Sequence, residues 1–171
     1  MKKIALIVVL TLALTPVFSQ SAAFIGEIIA KENATYMDFS YLIASELGME
    51  CTPFEAYTWC ETFGSFPLSD RAHTPITVKS ISHFLMLNYG LEGGLLWSAT
   101  QSPRYAWREL KAQRFWPAAT DPGNTLSGRD MVRAVSNFFN TYPNAKLRDP
   151  SAKEADHRYR ALLLSEKGET K

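Results

Sequence analysis

Histidine and cysteine are scarce in this chain of 171 residues, with three of the first and two of the second. His73, His83 and His157 lie far apart, and none is framed by a metal-ligand spacing such as His-x-x-x-His, so each reads as a satisfied or surface histidine. Two cysteines without neighbouring histidine make a zinc site improbable, and no nucleophile elbow or other catalytic signature surrounds any serine or cysteine. No metal or cofactor is implied. A long apolar run is missing too. The only extended one, Ile4 to Leu14, reaches about 16 Å as a helix, too little for a bilayer core of about 30 Å. Charge of one sign is also lacking. Lysine and arginine number 18 against 17 acidic residues, which offers no electrostatic footprint for nucleic acid or anionic lipid.

What is present begins with Met1-Lys2-Lys3, the apolar run, and Pro16-Val17-Phe18-Ser19-Gln20. A basic start, a short hydrophobic stretch and small residues at Val17 and Ser19 are the parts of a secretory signal peptide over residues 1–19, cut after Ser19. Export to the periplasm or cell envelope is therefore expected, with no transmembrane anchor after cleavage. Losing Lys2 and Lys3 takes the basic count from 18 to 16 against 17 acidic groups, still near neutrality. An oxidising compartment favours a disulfide between Cys51 and Cys60 over the alternative of two free buried thiols, Cys60 falling inside an expected helix.

The body of the chain repeats itself at an offset of 50 residues without a gap. Ala56 falls on Ala106, Tyr57 on Trp107, Phe66 on Trp116, Pro67 on Pro117, Ile76 on Leu126, Thr77 on Ser127, Ile81 on Met131 and Leu85 on Val135. Helix signals punctuate the same register. Thr35 caps a helix that stops at Gly48, and Thr52-Pro53-Phe54-Glu55 opens one running to about Phe63 and Gly64. Thr77 caps a third helix that ends at Gly90. Ser102-Pro103 opens a fourth, from about Arg104 to Gln113, and Ser127 caps a fifth that Pro143 stops. The leading helix of the first unit is degenerate or replaced by Phe24 to Ala30. Such a pattern predicts an all-α bundle of about three helix-loop-helix units over residues 20–143, since no unit of this size buries its own apolar face. Residues 144–171 form a charged tail, partly helical near Ser151 to Leu164 or disordered.

Three helix-loop-helix units, each with a hydroxyl-capped second helix after Ile or Leu, resemble the S-layer homology domain over roughly Thr35 to Phe139. The resemblance implies a pseudo-threefold bundle that binds anionic cell-wall polysaccharide in grooves between units. That family's second helix opens Ile-Thr-Arg-Ala-Glu, the Arg contacting glycan. Here the matching stretches are Ile76-Thr77-Val78-Lys79-Ser80 and Leu126-Ser127-Gly128-Arg129-Asp130. Val78 and Gly128 replace the Arg, Lys79 and Arg129 come one place later, and the acidic residue survives only as Asp130. The family's glycan residues do not transfer.

Arg104, Arg108 and Arg114 share a segment with Tyr105 and Trp107, and aromatic faces beside guanidinium groups suit a carbohydrate or an anionic polymer. Tyr57 and Trp107, matched across the repeat, read first as core, whereas Trp97 in the Gly93-Gly94 connector reads as a surface ring. The expectation is a non-catalytic envelope module that binds an envelope glycan or partner protein through a groove formed by Trp97, Arg104, Arg108 and Arg129. The alternative is a periplasmic hydrolase with an unrecognised site, which would require a pocket holding Asp or Glu beside His73 or His83.

Overall fold

The computed structural model describes residues 16–66 and 71–148, with side chains from Ala22 onward. They form seven helices: α1 Pro16–Ala30, α2 Tyr36–Glu46, α3 Pro53–Glu61, α4 Val78–Asn88, α5 Leu95–Thr100, α6 Pro103–Ala112 and α7 Gly128–Thr141. Among the described residues the only β pairing is two single bridges, so the fold is all-α. The apolar run Ile4 to Leu14, Pro67 of the repeat register, His157 and the tail helix expected near Ser151 to Leu164 lie outside the described residues. The expected cut after Ser19 falls within α1.

Local chemistry accounts for the helix ends. Thr35 accepts from the Asp38 amide and the Asp38 carboxylate accepts from the Thr35 amide, and Thr52 and Glu55 form the same reciprocal box at the start of α3. Those bonds hold the Glu55 carboxyl below the usual carboxylate range. Ser127 accepts from the Asp130 amide. Thr77 departs from the pattern, its hydroxyl lying 2.9 Å from that of Ser80 rather than on a backbone amide. After α2, α3 and α4 the chain reverses through left-handed glycines at Gly48, Gly64 and Gly90.

The starts of α2, α4 and α7 are tied into one set of backbone bonds. Each first turn carries amides with no partner in its own helix, and a neighbouring loop supplies the carbonyls. Tyr36 and Met37 donate to Thr74 and Ala72 at 3.2 and 3.0 Å, and Val78 and Lys79 donate to Asn124 and Pro122 at 2.8 and 3.0 Å. Both acceptor pairs are 50 positions apart. Gly128 donates to Lys31 at 2.9 Å, which brings the third start back to the end of α1. The Thr35–Pro75 and Thr77–Thr125 bridges, with Ile76 donating to Ala34 and Ala34 to Leu126, complete the centre.

Around this centre α2 packs on α3 and α7, α4 on α6, and α7 also on α1. Phe39, Ile43, Ile81, Phe84, Leu85, Met131 and Phe138 fill the interior, and Phe39, Phe66 and Phe84 form a ring cluster with centroids 4.9 to 5.8 Å apart. Asp38 is fully buried. Lys31 donates to one of its oxygens at 2.6 Å, while the Thr35 amide and hydroxyl donate to the other at 2.9 and 2.8 Å. A buried carboxylate needs such partners, because desolvation without them costs several kcal/mol.

Two expectations are corrected. Cys51 and Cys60 are free thiols, not a disulfide. Cys51 precedes the α3 cap and Cys60 sits in the last turn, so about two helical turns, or about 10 Å of rise, separate them. Bridged cysteines hold their Cα atoms within about 7 Å. The Gly93-Gly94 connector, expected to be loop, contains α5. Beyond Pro143, the Arg148 amide donates to the Asn88 carbonyl at 2.8 Å.

The close approach of α7 to α1 explains why glycine stands at 128. A Cβ built there would overlap the Ile28 carbonyl oxygen. Gly128→Ala is expected to destabilise the fold by about 1–3 kcal/mol or more in a denaturant titration, since the obstacle is backbone rather than a movable side chain. Leu85, 1% exposed, should cost about 2–5 kcal/mol on truncation to alanine. Wild-type stability in either variant would mean that α1 or α4 does not pack as described.

Candidate functional site

Helix α6 separates its residues into two sides. Ala106 and Leu110 are fully buried, facing the core, and Arg104 and Arg108 are exposed. Ser102 and Pro103 begin the helix, proline tolerated there because the first amides have no helical partner. On the outer side the Arg108 guanidinium lies 5.8 Å from the centre of the Tyr105 ring, and Lys111 Nζ lies 4.7 Å from that of Trp107 while donating to the Thr120 carbonyl at 3.1 Å. Between 104 and 114 the chain carries four basic residues, Arg104, Arg108, Lys111 and Arg114, against one acid, Glu109. The Glu109 carboxylate is turned away, against Gly94 at the start of α5. Among the described residues none of the three arginines takes part in an ion pair. Near-neutral overall, the molecule thus presents one helix with unpaired guanidinium groups beside half-buried aromatic rings.

The other two expected site residues do not join this face. Trp97 is only 5% exposed and so cannot be a surface ring at a rim. The Gly93-Gly94 turn folds α5 back so that the indole covers Gly93, where a Cβ would come within 2.6 Å of Trp97 Cδ1, and meets His83 edge-on at 6.3 Å. Arg129 is exposed in the first turn of α7, at the end joined to Lys31. It is the opposite end of α7 that reaches α6, where the Tyr142 hydroxyl bonds Gln113 and the Phe115 and Phe138 rings meet. The structure therefore brings Arg104 and Arg108 together and leaves Arg129 apart from them.

The positions matching the family's glycan arginine are also internal. Val78 is fully buried and Gly128 lies against α1, so neither place has room for a solvated side chain, while Lys79 and Arg129 one step later are exposed. Of the repeat-matched rings, Tyr57 is core, Trp107 is half-buried, and Trp116 is buried with its Nε1 donating to Ser82 at 2.8 Å. His73 is exposed, and His83 Nε2 lies 2.9 Å from the Gln101 carbonyl oxygen. Among the described residues no group of three His, Cys, Asp or Glu side chains is placed to hold a metal ion. A cleft of about 480 Å³ between the end of α4 and the segment after α7, lined by Tyr89, Glu92, Tyr142 and Lys146 among others, was not anticipated. Its walls come from two segments about 50 positions apart, and no local signal in either marks them as neighbours.

The chain matches no family model, and no curated protein or solved structure shows significant similarity to it.

Burial pushes the Cys60 thiol up to about 12 from 9.0 and also raises Cys51 and Tyr89. The folded state keeps the Cys60 proton in a range where the unfolded chain has released it. The stabilisation is therefore complete below about pH 9 and is lost as pH rises towards 12, at up to about 1.4 kcal/mol per pH unit per group. Denaturation midpoints should fall across that window. At pH 8 the native protein should alkylate at Cys51 well before Cys60, with both thiols titrating once it is unfolded; rapid labelling of both in the native state would contradict the packing of α3.

Proposed function

We propose that this chain is an exported, non-catalytic envelope protein, an S-layer-homology-like helical bundle that binds an acidic envelope glycan or partner protein through the outer face of α6. One observation carries the proposal: Arg104 and Arg108 are exposed on the same helix face, neither forms an ion pair among the described residues, and Arg108 lies over the Tyr105 ring. Unpaired guanidinium groups form two-pronged bonds with carboxylate or phosphate, and a flanking ring accepts the C–H face of a sugar. The bundle architecture is supported by the matched backbone bonds at the starts of α2 and α4, whose acceptor pairs are 50 residues apart. Export rests on the basic, apolar and small-residue order of residues 1–19. Binding is expected to be moderate and salt-sensitive, because the charges are solvated and screened.

Replacing Arg104 and Arg108 together by alanine should reduce retention on envelope material about three- to tenfold at low salt and flatten its salt dependence, at about 0.2–1 kcal/mol for each exposed charge contact. The circular dichroism spectrum and denaturation midpoint should stay at wild-type values, since neither side chain contributes to the core. Unchanged retention by a folded double variant would remove α6 from the binding face.

A further inference from the structure

Charge is balanced over the molecule but not along it. Residues 22–66, which run through α3, carry seven acids against one base, Lys31, whereas residues 71–148 carry ten bases against four acids, a formal charge of −6 against +6. The contrast is sharpest between α3 and α6, which share a position in the 50-residue register. Ala56 and Cys60 are the buried positions of α3 as Ala106 and Leu110 are of α6, so the matched outer positions are placed alike. Phe54 and Thr58 are exposed like Arg104 and Arg108, and Glu61 is half-buried like Lys111. One place in the fold thus shows opposite chemistry. From Glu46 to Glu61 the chain has four acids and no base, and from 104 to 114 it has four bases and one acid. Among the described residues no ion pair joins the two segments, so they do not neutralise each other within the molecule. The acidic segment is also the apolar one. Among the described residues six large hydrophobic side chains are exposed, and three of them lie in the short stretch that opens α3: Leu47 at 41%, Met49 at 37% and Phe54 at 58%.

We infer that the acidic partner of α6 is the α3 side of a second copy of this chain, in a head-to-tail association where Phe54, Glu50 and the turn around Gly48 of one molecule meet Arg104 and Arg108 of the next. The inference rests on the proposed α6 face and names its partner. A guanidinium group stacks on an aromatic ring and forks onto a carboxylate, and arginine stems cover apolar surface, so Phe54 with its flanking Glu50 and Glu55 complements Arg104 and Arg108. The two faces are separated by α4, whose Phe84 ring meets Phe63 beyond α3 while α6 packs on the same helix. Because the faces differ, the contact does not close on itself as a twofold dimer would. Each added molecule leaves one face of each kind open at the ends, and growth continues as a chain or until a ring closes.

Sedimentation velocity of the purified protein at low salt should show a sedimentation coefficient that rises with concentration over about 1–100 μM and returns to the monomer value at about 0.5 M salt, as a small and charge-rich contact requires. The decisive measurement uses two variants, each left with one working face. Arg104→Ala/Arg108→Ala keeps the α3 side and Glu50→Lys/Phe54→Ala keeps α6, and since all four positions are exposed both should melt like wild type. Each alone should associate at least about tenfold more weakly than wild type, while an equimolar mixture should form a one-to-one dimer that grows no further. Only a head-to-tail contact allows that rescue. Association of either variant alone at wild-type strength, or a mixture that stays monomeric where the wild type associates, would overturn the inference. A wild-type protein that stays monomeric at low salt would overturn it too, and retention on envelope material that still depends on Arg104 and Arg108 would then assign α6 to an acidic partner other than this chain. Absence of both association and retention would remove the second copy and the α6 face together.

Discussion

The fold depends on satisfying the first-turn amides of α2, α4 and α7 at one place. Left alone, each helix start presents several backbone donors without acceptors, and burying them would cost more than the packing nearby returns. The chain resolves this by running the segment before each of two helix starts past another, so that carbonyls at Ala72, Thr74, Pro122 and Asn124 receive donors from α2 and α4. Because these bonds are backbone to backbone, they set the spacing and order of the helices with little regard for side-chain identity. Side chains then adapt to the geometry. Val78 is pressed into the core, and position 128 admits only a hydrogen atom where α7 meets the carbonyl of Ile28.

Asp38 reinforces the same centre. Its carboxylate completes the Thr35 box and holds Lys31, the residue whose carbonyl receives Gly128. One buried acid thus couples the start of α2, the exit of α1 and the start of α7. Removing the acid would leave Lys31 without its ion pair and Thr35 without its acceptor, and the loss would spread to all three elements. With the starts of α2, α4 and α7 committed to this centre, α6 carries Arg104 and Arg108, which form no ion pair among the described residues, to the surface on a helix whose inner side is anchored by Ala106 and Leu110. The interlocked helix starts and the exposed arginines of α6 thus occupy separate parts of the fold.

Much of the helix pattern was legible in the sequence because capping is local. Thr35, Thr52 and Ser127 act on amides three residues away, and Gly48, Gly64 and Gly90 act on their own backbone, so a window of a few residues contains all the physics. Arg104 and Arg108 were legible for the same reason, lying one turn apart on one helix. Trp97 was not. Whether an indole beside two glycines faces water depends on how α5 folds back, and that is decided by what fills the space above Gly93. The cysteines misled in a related way, since nine positions is a short loop in an extended chain but nearly the full length of a helix.

From the sequence alone came the all-α class, the starts and stops of most helices, the 50-residue register and the basic face of α6, because each rests on interactions spanning a few residues or on direct comparison of one segment with another. Tertiary structure alone decided that Arg129 stands apart from Arg104 and Arg108, that Trp97 is interior and that both cysteines are free. These depend on the directions in which helices leave the shared centre, and those directions are set by backbone bonds between residues 35 to 97 positions apart, such as Met37 to Ala72 and Gly128 to Lys31.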